Sequence, residues 1–538
     1  MSASHLDLRD RAALARRLGA EVFDVLVIGA GITGAGIARD LAMRGTRVAL
    51  VDAGDFASGT SSRSTKLVHG GLRYLAQGDV GLVREAASER ARVQHIAPHL
   101  AIATQVIVGA RSRLQLTKRR AGLWSYEKLG GVTHGETHEV WDRARLARDE
   151  PVLRTEDWAG AIVYTEYLTD DARLTVANVR GAHAHGAVVA NHAPVVSLIH
   201  EGDLVVGALV GDGLASSRVQ AAAGEPGMSA FAEVRARVVV NATGPWADAV
   251  RRLEAPDADA RLQITKGIHL VVPRAVLPLQ HMAIVDAADG RGVFMVPRGK
   301  YVYLGTTDTF HPRAEHWPAI GDEDIDYVLD VVRRNTTQAP AREQVGAMWA
   351  GIRPLIGQAG KKPSEISRRD ETMIGPGGVV TIAGGKLTAF RRMAERVADI
   401  CEARLGRVVT AARTADVVLP GGELVGSIAD ARKSLMSSGI DADAAERLVR
   451  LYGAEAPLVL SEQDPVHGEV EQAVRREGAV LLEDWWVRRA ARAWFDNEEA
   501  ALLRGAARFA VLLGWDDART AREIACCRAA VAHVHASA

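Results

Sequence analysis

Four stretches of this sequence concentrate side chains and backbone suited to holding anions or moving protons. The first is Gly29-Ala30-Gly31-Ile32-Thr33-Gly34, with Asp52 about 20 residues further on. The second is the run Ser61-Ser62-Arg63-Ser64-Thr65-Lys66-Leu67-Val68-His69-Gly70-Gly71-Leu72-Arg73-Tyr74-Leu75, where hydroxyls, a glycine pair and a histidine stand close together. Asn241-Ala242-Thr243-Gly244-Pro245-Trp246 and Gly384-Gly385-Lys386-Leu387-Thr388 complete the set. In the first, Gly29 permits a tight turn, Gly31 lets backbone approach a pyrophosphate, and Gly34 lets a helix pack closely on a strand. The N–H groups and positive dipole end of that helix attract phosphate. Asp52 is spaced to accept from a ribose hydroxyl, so the chemistry is binding of an adenine dinucleotide.

Those residues need a scaffold, and the flanking sequence supplies one. Val25-Leu26-Val27-Ile28 reads as a buried parallel strand, Ala35 to Arg44 as a helix stopped by Gly45, and Arg47 to Val51 as a second strand. The Ser61–Tyr74 run reads equally as a functional loop on such a scaffold or as a polar surface loop leading into a helix over Val80–Gln94. Asp170 caps a helix reaching His185. Strands follow at 187–189, 195–198, 204–210 and 237–240, with a glycine- and alanine-rich loop expected over 211–230. Alternating runs at 268–272, 293–296 and 301–305 predict an antiparallel sheet, a different architecture from the parallel start. Lys386 opens a helix running to Arg404, which gives a second anion-ready helix start. Beyond Ala411 the chain reads as helices, with Pro420-Gly421-Gly422 as a candidate linker.

Bulk composition narrows the function. The 538 residues call for about three domains. Lys+Arg and Asp+Glu both number 66, and a net charge of zero argues against nucleic acid as a partner. Cys401, Cys526 and Cys527 show no C-x-x-C spacing; no metal site is expected, and the adjacent pair reads as packed helix thiols in a reducing compartment. Met1 to Glu21 lacks the continuous apolar core of a signal peptide, and no run of 18 uncharged apolar residues would span a membrane. Over residues 101–130, Arg111, Arg113, Lys118, Arg119 and Arg120 crowd around Leu114, Leu116, Leu123, Trp124 and Tyr126. This reads either as a segment lying on an anionic membrane surface or as a solvated basic helix.

The blocks Ser64–Leu75, Asp170–Leu174, Asn241–Trp246, Gly305–Asp308, Gly351-Ile352-Arg353-Pro354-Leu355 and Gly384–Thr388 resemble the FAD-dependent glycerol-3-phosphate dehydrogenases. The resemblance covers Asp24 to Arg404 in blocks and continues more weakly to the C-terminus. It implies an α/β protein whose Rossmann-like FAD-binding domain is of the glutathione-reductase/D-amino-acid-oxidase type, with an antiparallel β-sheet substrate domain and an all-helical C-terminal domain. The expected division is 1–90, 155–260 and 355–404 for FAD, 91–154 and 261–354 for substrate, and 405–538 for the helical cap. Two departures stand out: Asp52 where the family often has Glu, and Arg488-Arg489-Ala490-Ala491-Arg492 in place of Arg-Arg-Thr-Arg.

The resemblance implies oxidation of sn-glycerol 3-phosphate to dihydroxyacetone phosphate by hydride transfer to FAD, with electrons passed to a membrane quinone. It favours the membrane reading of 101–130 and places the enzyme on the inner face of the cell membrane, peripherally attached and cytoplasmic; a homodimer is left open. An oxygen-using, peroxide-releasing glycerol-3-phosphate oxidase and a related D-amino-acid-oxidase-type flavoenzyme are the alternatives. The expected FAD contacts are Gly29, Gly31, Gly34, Asp52, Ser61, Ser62, Lys66, Leu67, His69, Gly71, Val195, Thr243, Gly244, Gly385, Lys386, Leu387 and Thr388. With no His or Cys in the nucleotide loop, the flavin is expected to be noncovalent. The substrate is a small dianion, and a guanidinium fork matches phosphate oxygens bidentately. By resemblance Arg353 and Arg369 take that role, with Arg73, Tyr74 and Lys386 completing the pocket. His69 is the expected general base, since an ordinary histidine pKa near 6.5 suits proton transfer at neutral pH. An arginine-polarised hydroxyl losing its proton to solvent is the rival. Lys386 would stabilise developing negative charge.

Overall fold

Val22–Ile28 is apolar at nearly every position because it lies inside a sheet covered on both faces. It pairs in parallel with Val48–Val51 on one side and with Ala230–Asn241 on the other. The sheet runs in the order Asp370–Ile374, Val380–Gly384, Ala230–Asn241, Val22–Ile28, Val48–Val51, Val188–Ala190. The antiparallel ribbon Val195–Glu201 and Leu204–Gly211 joins at Ala230–Asn241. The computed structural model describes residues 5–70, 80–130, 137–214, 229–357, 370–460 and 464–532. The loop expected over 211–230 therefore falls mostly outside the described residues. Helix Ile32–Met43 is buried at every position but Thr33, between helices Asp171–Ala184 and Phe390–Arg404. Each fully buried Val, Leu or Ile in this layer contributes about 1.5–3 kcal/mol of transfer free energy, so the phosphate-facing end of the helix is rigidly held.

A second sheet of ten strands contains Leu262–Pro273, Ala347–Ile356, Tyr301–Gly305, Gly292–Arg298, Met282–Asp286, Ile102–Ala110 and Gly160–Leu168. Two sequence expectations are corrected here. The sheet is not wholly antiparallel, since Met282–Asp286 pairs in parallel with Ile102–Ala110. Gly160–Leu168, assigned by sequence to the FAD segments, pairs with Ile102–Ala110 over nine positions and belongs to the second sheet, as does Leu67–Val68. Its near-unbroken apolar character fits either sheet, and only the pairing partner decides.

The last segment is helical among its described residues, from Ile428–Ser437 to Asp517–Ala532. It is no detachable cap: Trp485, Trp494, Phe495 and Phe509 belong to the same buried cluster as Trp349 and Tyr303 of the second sheet. Trp349 stands 5.9 Å from Trp494 and 6.0 Å from Phe495, ring centre to ring centre. Nor is Pro420-Gly421-Gly422 a loose linker. Gly421 and Gly422 are buried, Leu419 N–H donates to Ile96 O, and Ala454 N–H donates to Gly421 O. Among the described residues, no helix is long and apolar enough to cross a membrane.

Candidate active site

Two cavities, of about 260 and 180 Å³, share Ile32, Thr60, Ser61, Pro354, Gly385, Lys386 and Leu387 in their walls. The larger is walled by backbone. Gly29 (φ +99°) lies against the Asn241–Thr243 turn, where an added Cβ would stand 2.7 Å from Ala242 O. Gly34 has its Cα against Gly29 O and admits no side chain. Gly244 and Gly385 also have positive φ. Three separate segments thus bring bare backbone to a single slot beside the start of helix Ile32–Met43, the arrangement a pyrophosphate requires. Asp52 accepts from Ala30 N–H (2.6 Å) and Gly54 N–H (2.9 Å). A carboxylate accepts at about four sites, so capacity remains for a ribose hydroxyl. Ser61 accepts from Ile32 N–H at 2.9 Å and so caps the helix as well as facing the cavity. Gly29, Gly31, Asp52, Ser61, Val195, Thr243, Gly244, Gly385, Lys386 and Leu387 all line this cavity, which fits an adenine dinucleotide.

The smaller cavity gathers His69, Arg353 and Lys386, the three residues expected to be catalytic, together with Leu67. Their convergence follows from strand register. Leu262–Pro273 pairs with Ala347–Ile356 so that Gly267 faces Gly351, Thr265 faces Arg353 and His269 faces Trp349. Both glycines are steric necessities. A Cβ at 351 would run into Arg63 O where the Ser61–Leu67 segment crosses the strand, and one at 267 would stand 2.6 Å from Arg353 Cζ. Arg353 donates to Asp308 Oδ1 (3.0 Å), Thr306 Oγ1 (2.9 Å) and Thr307 O (3.3 Å), which aims its fork. His69 is fixed through its backbone: its N–H donates to Thr388 Oγ1 (3.2 Å), and that hydroxyl donates back to His69 O (2.9 Å). Next to it, Gly70 N–H donates to the buried Glu166 carboxylate at 3.2 Å, and burial pushes that carboxyl up to about 7. Lys386 lies where the two cavities meet. A 3₁₀ turn, Leu387–Ala389, intervenes before helix Phe390–Arg404, so Lys386 caps that turn and does not open the α-helix directly.

Not every expected contact lies on a cavity wall. Lys66 is buried, with Nζ donating to Asp171 Oδ1 (2.6 Å) and Ser62 O (2.9 Å); its charge shapes the loop from behind. Ser62 is buried within its own turn, and Thr388 acts through His69. Gly34 packs the helix, as its spacing implies. Gly71, Arg73, Tyr74 and Arg369 lie outside the described residues.

Sequence reasoning passed over His269. Its ring is buried, stacks on Trp349 (centroids 4.8 Å apart, planes 15°) and places Nε2 3.0 Å from Thr65 Oγ1 on the cavity wall. Burial, with Arg353 and Lys66 nearby, holds its pKa well below the ordinary value, so the imidazole is neutral. His316 and Thr60 were also passed over; both line the larger cavity, where His316 stacks on Trp246 at 4.5 Å. A histidine within the apolar run Ile268–Val272 was the one available signal.

Residues 24–400 match the FAD dependent oxidoreductase family, and residues 412–520 match the C-terminal domain of alpha-glycerophosphate oxidase. The aerobic glycerol-3-phosphate dehydrogenase of Bacillus subtilis (strain 168) is 36% identical over 502 residues, 88% of each chain. That of Staphylococcus haemolyticus (strain JCSC1435) is 34% identical over 519 residues, 92% of this chain and 91% of its own. The X-ray structure of the glycerol-3-phosphate dehydrogenase from Bacillus halodurans, complexed with FAD, superposes with a TM-score of 0.80 at 31% identity, covering 98% of both chains. L-alpha-glycerophosphate oxidase from Mycoplasma pneumoniae, with FAD bound, shares the fold at a TM-score of 0.56 and 15% identity, covering 74% of this chain and 99% of its own. The chain therefore belongs to the aerobic glycerol-3-phosphate dehydrogenase family of FAD-dependent oxidoreductases.

Proposed function

We propose that this enzyme oxidises sn-glycerol 3-phosphate to dihydroxyacetone phosphate and passes the electrons to a membrane quinone. The observation that carries the reading is the meeting of Arg353, Lys386 and His69 in a cavity that shares seven wall residues with the dinucleotide slot. Bound FAD supplies the hydride acceptor. Arg353, aimed by Asp308 and Thr306, grips the phosphate; a planar fork suits a dianion better than a point charge does. His69 takes the hydroxyl proton. The neutral His269 in the same wall is suited to hydrogen bonding and not to taking that proton, because burial, Arg353 and Lys66 all oppose its protonation. Lys386, at the junction, offsets the negative charge that develops as the proton leaves and the hydride is transferred. Arg369, Arg73 and Tyr74 are proposed to complete the anion pocket.

The quinone-linked reading draws support from the helix Arg113–Gly130. Leu114 and Trp124 are 66% and 58% exposed, and Arg111, Arg113, Lys118 and Arg120 stand exposed around them. Leu123 and Tyr126 point into the core, and Arg119 donates to Gly109 O, so only part of the segment faces outward. We place this face against the inner leaflet of the cell membrane. Oxygen as acceptor is the second reading, favoured by the match of residues 412–520 to an oxidase domain. Anaerobic addition of glycerol 3-phosphate to the purified yellow protein should bleach the flavin absorption, and glycerol should not. No bleaching would refute the substrate assignment. Stoichiometric peroxide in air, with no reduction of a quinone analogue, would favour the oxidase.

A further inference from the structure

We propose that the helical C-terminal segment sets the affinity for FAD, through a buried ion cluster of Arg488 and Arg489 with Asp55 that fixes the cofactor-facing loop from behind. No described residue beyond Leu387 lines either cavity, so the segment does not touch the flavin site itself. Its π-helix, Asp484–Arg489, nevertheless reaches the loop that begins at Asp52. Asp55 Oδ2 accepts from Arg488 Nε at 2.6 Å and from Arg489 Nη1, and Oδ1 accepts from Arg489 Nη2 at 2.8 Å. Asn191 Nδ2 adds a donor at 3.0 Å. Arg488 Nη2 continues to Asp484 Oδ1 (2.9 Å), and His192 Nε2 lies 3.2 Å from the same carboxylate. All four charged side chains are 2% exposed or less.

The front of this assembly is the cofactor slot. Asp52 and Ala53, just ahead of Asp55, and Ser58 to Ser61, just after it, line the cavity. Ala193, which donates to Asp52 O at 2.7 Å, does so too, and His192 N–H donates to Gly54 O at 2.7 Å. Both nucleotide-side loops are therefore tied to one charge cluster that arrives from a distant segment, 433 residues from Asp55 and 292 from His192. Removing one member leaves buried charge under-compensated: without Arg489, Asp55 keeps only Arg488 and Asn191, and without Asp55, Arg489 keeps only the Glu477 carbonyl; the loop is then the element free to shift. The ligand-type atoms of Asp55, His192 and Asp484 lie within 4.8 Å of one another, a spacing that a metal ion could also use. Arg488 and Arg489 already hold the carboxylates of Asp55, Asp484 and Glu483, the last through Arg488 Nη1 at 2.9 Å, so we assign the cluster to ion pairing.

The test is titration of FAD into full-length apoprotein, followed by quenching of flavin fluorescence. Asp55→Asn and Arg489→Met should each raise the dissociation constant about tenfold or more. At saturating FAD, kcat and the KM for glycerol 3-phosphate should stay within twofold of wild type. A dissociation constant within twofold of wild type overturns the proposal, as does an equal fall in kcat at saturating FAD, which would mark general damage. Should circular dichroism show either variant unfolded, Arg488→Lys keeps a cation against both carboxylates. It should raise the constant three- to tenfold, and no change would be equally fatal. EDTA should leave wild-type affinity unaltered; a loss restored by a divalent cation would assign the cluster to a metal. The FAD titrations, circular dichroism and EDTA control do not depend on glycerol 3-phosphate being the substrate; only the kcat and KM controls do.

Discussion

Replacing Gly267 by Ala tests the aim of Arg353 without removing its charge. The added Cβ would stand 2.6 Å from Arg353 Cζ and would crowd Nη2 and Thr306 Oγ1 as well. To regain ordinary contact the guanidinium must retreat by about 1 Å, a displacement that can cost on the order of a hundredfold in rate. The hydrogen bonds to Asp308 and Thr306 would lengthen together, and the fork would no longer meet the phosphate squarely. Losing one hydrogen bond to a charged group removes about 1.5–3 kcal/mol, so kcat/KM for glycerol 3-phosphate should fall about 10- to 150-fold. Overpacking costs folding stability of about 1–3 kcal/mol, visible as a lower Tm. FAD content should be unchanged, because Gly267 lines only the smaller cavity. The assay is dye-linked steady-state kinetics beside the flavin-to-protein absorbance ratio. A kcat/KM within threefold of wild type, in protein that retains its flavin, would show that Arg353 does not hold the substrate.

Arg353→Lys keeps the charge and loses the fork, so KM should rise about tenfold or more for ~1.4 kcal/mol lost; parity between glycerol and its phosphate as wild-type substrates would refute the anion-pocket argument. Glu166→Gln tests the buried carboxyl behind Gly70. With a folded pKa of about 7, above its ordinary 4.5, Glu166 keeps its proton in the folded state to higher pH than in the unfolded chain. The stability it contributes is full below about pH 4.5 and is lost as pH rises to about 7, at about 3 kcal/mol in all. The Tm difference, variant minus wild type, should grow more positive from pH 5 to pH 8, and a flat difference would be the contrary result. Changing Arg111, Arg113, Lys118 and Arg120 to Gln, while leaving the internally bonded Arg119, should move the protein from anionic vesicles to supernatant at low salt. Each basic residue contributes about 1 kcal/mol near such a surface. Dye-linked activity should persist; continued pelleting would assign the contact to another face.

What could be read from the sequence was local in origin. Gly29, Gly31, Gly34 and Asp52 sit within one strand–helix–strand unit, so their spacing alone specifies their geometry. Arg353 was legible because the glycine and proline around it mark a constrained strand end. The pairing of Lys66 with Asp171 was not legible, because its partner lies 105 residues away and only tertiary structure brings the two together. His269 was missed for the converse reason. In an apolar strand it looks like core, and its place on the cavity wall depends on the crossing of the Ser61–Leu67 segment. The glycines at 421 and 422 suggested a flexible joint, yet they are small because His99, Tyr452 and Val418 crowd them.

The parallel sheet also dictates when the enzyme can acquire its cofactor. Strand Val22–Ile28 is completed by Ala230–Asn241, and that strand by Val380–Gly384, so the slot has no third wall until Leu387 has been synthesised. At roughly 5–20 residues per second, about 20–70 s separate translation of Gly31 from that of Leu387. During that interval the first nucleotide loop is exposed on a half-built sheet whose strand edges invite mispairing. Flavin supply during expression should therefore raise the yield of soluble protein only for chains extending past Leu387, and nascent chains arrested earlier should show no FAD-dependent protection from protease.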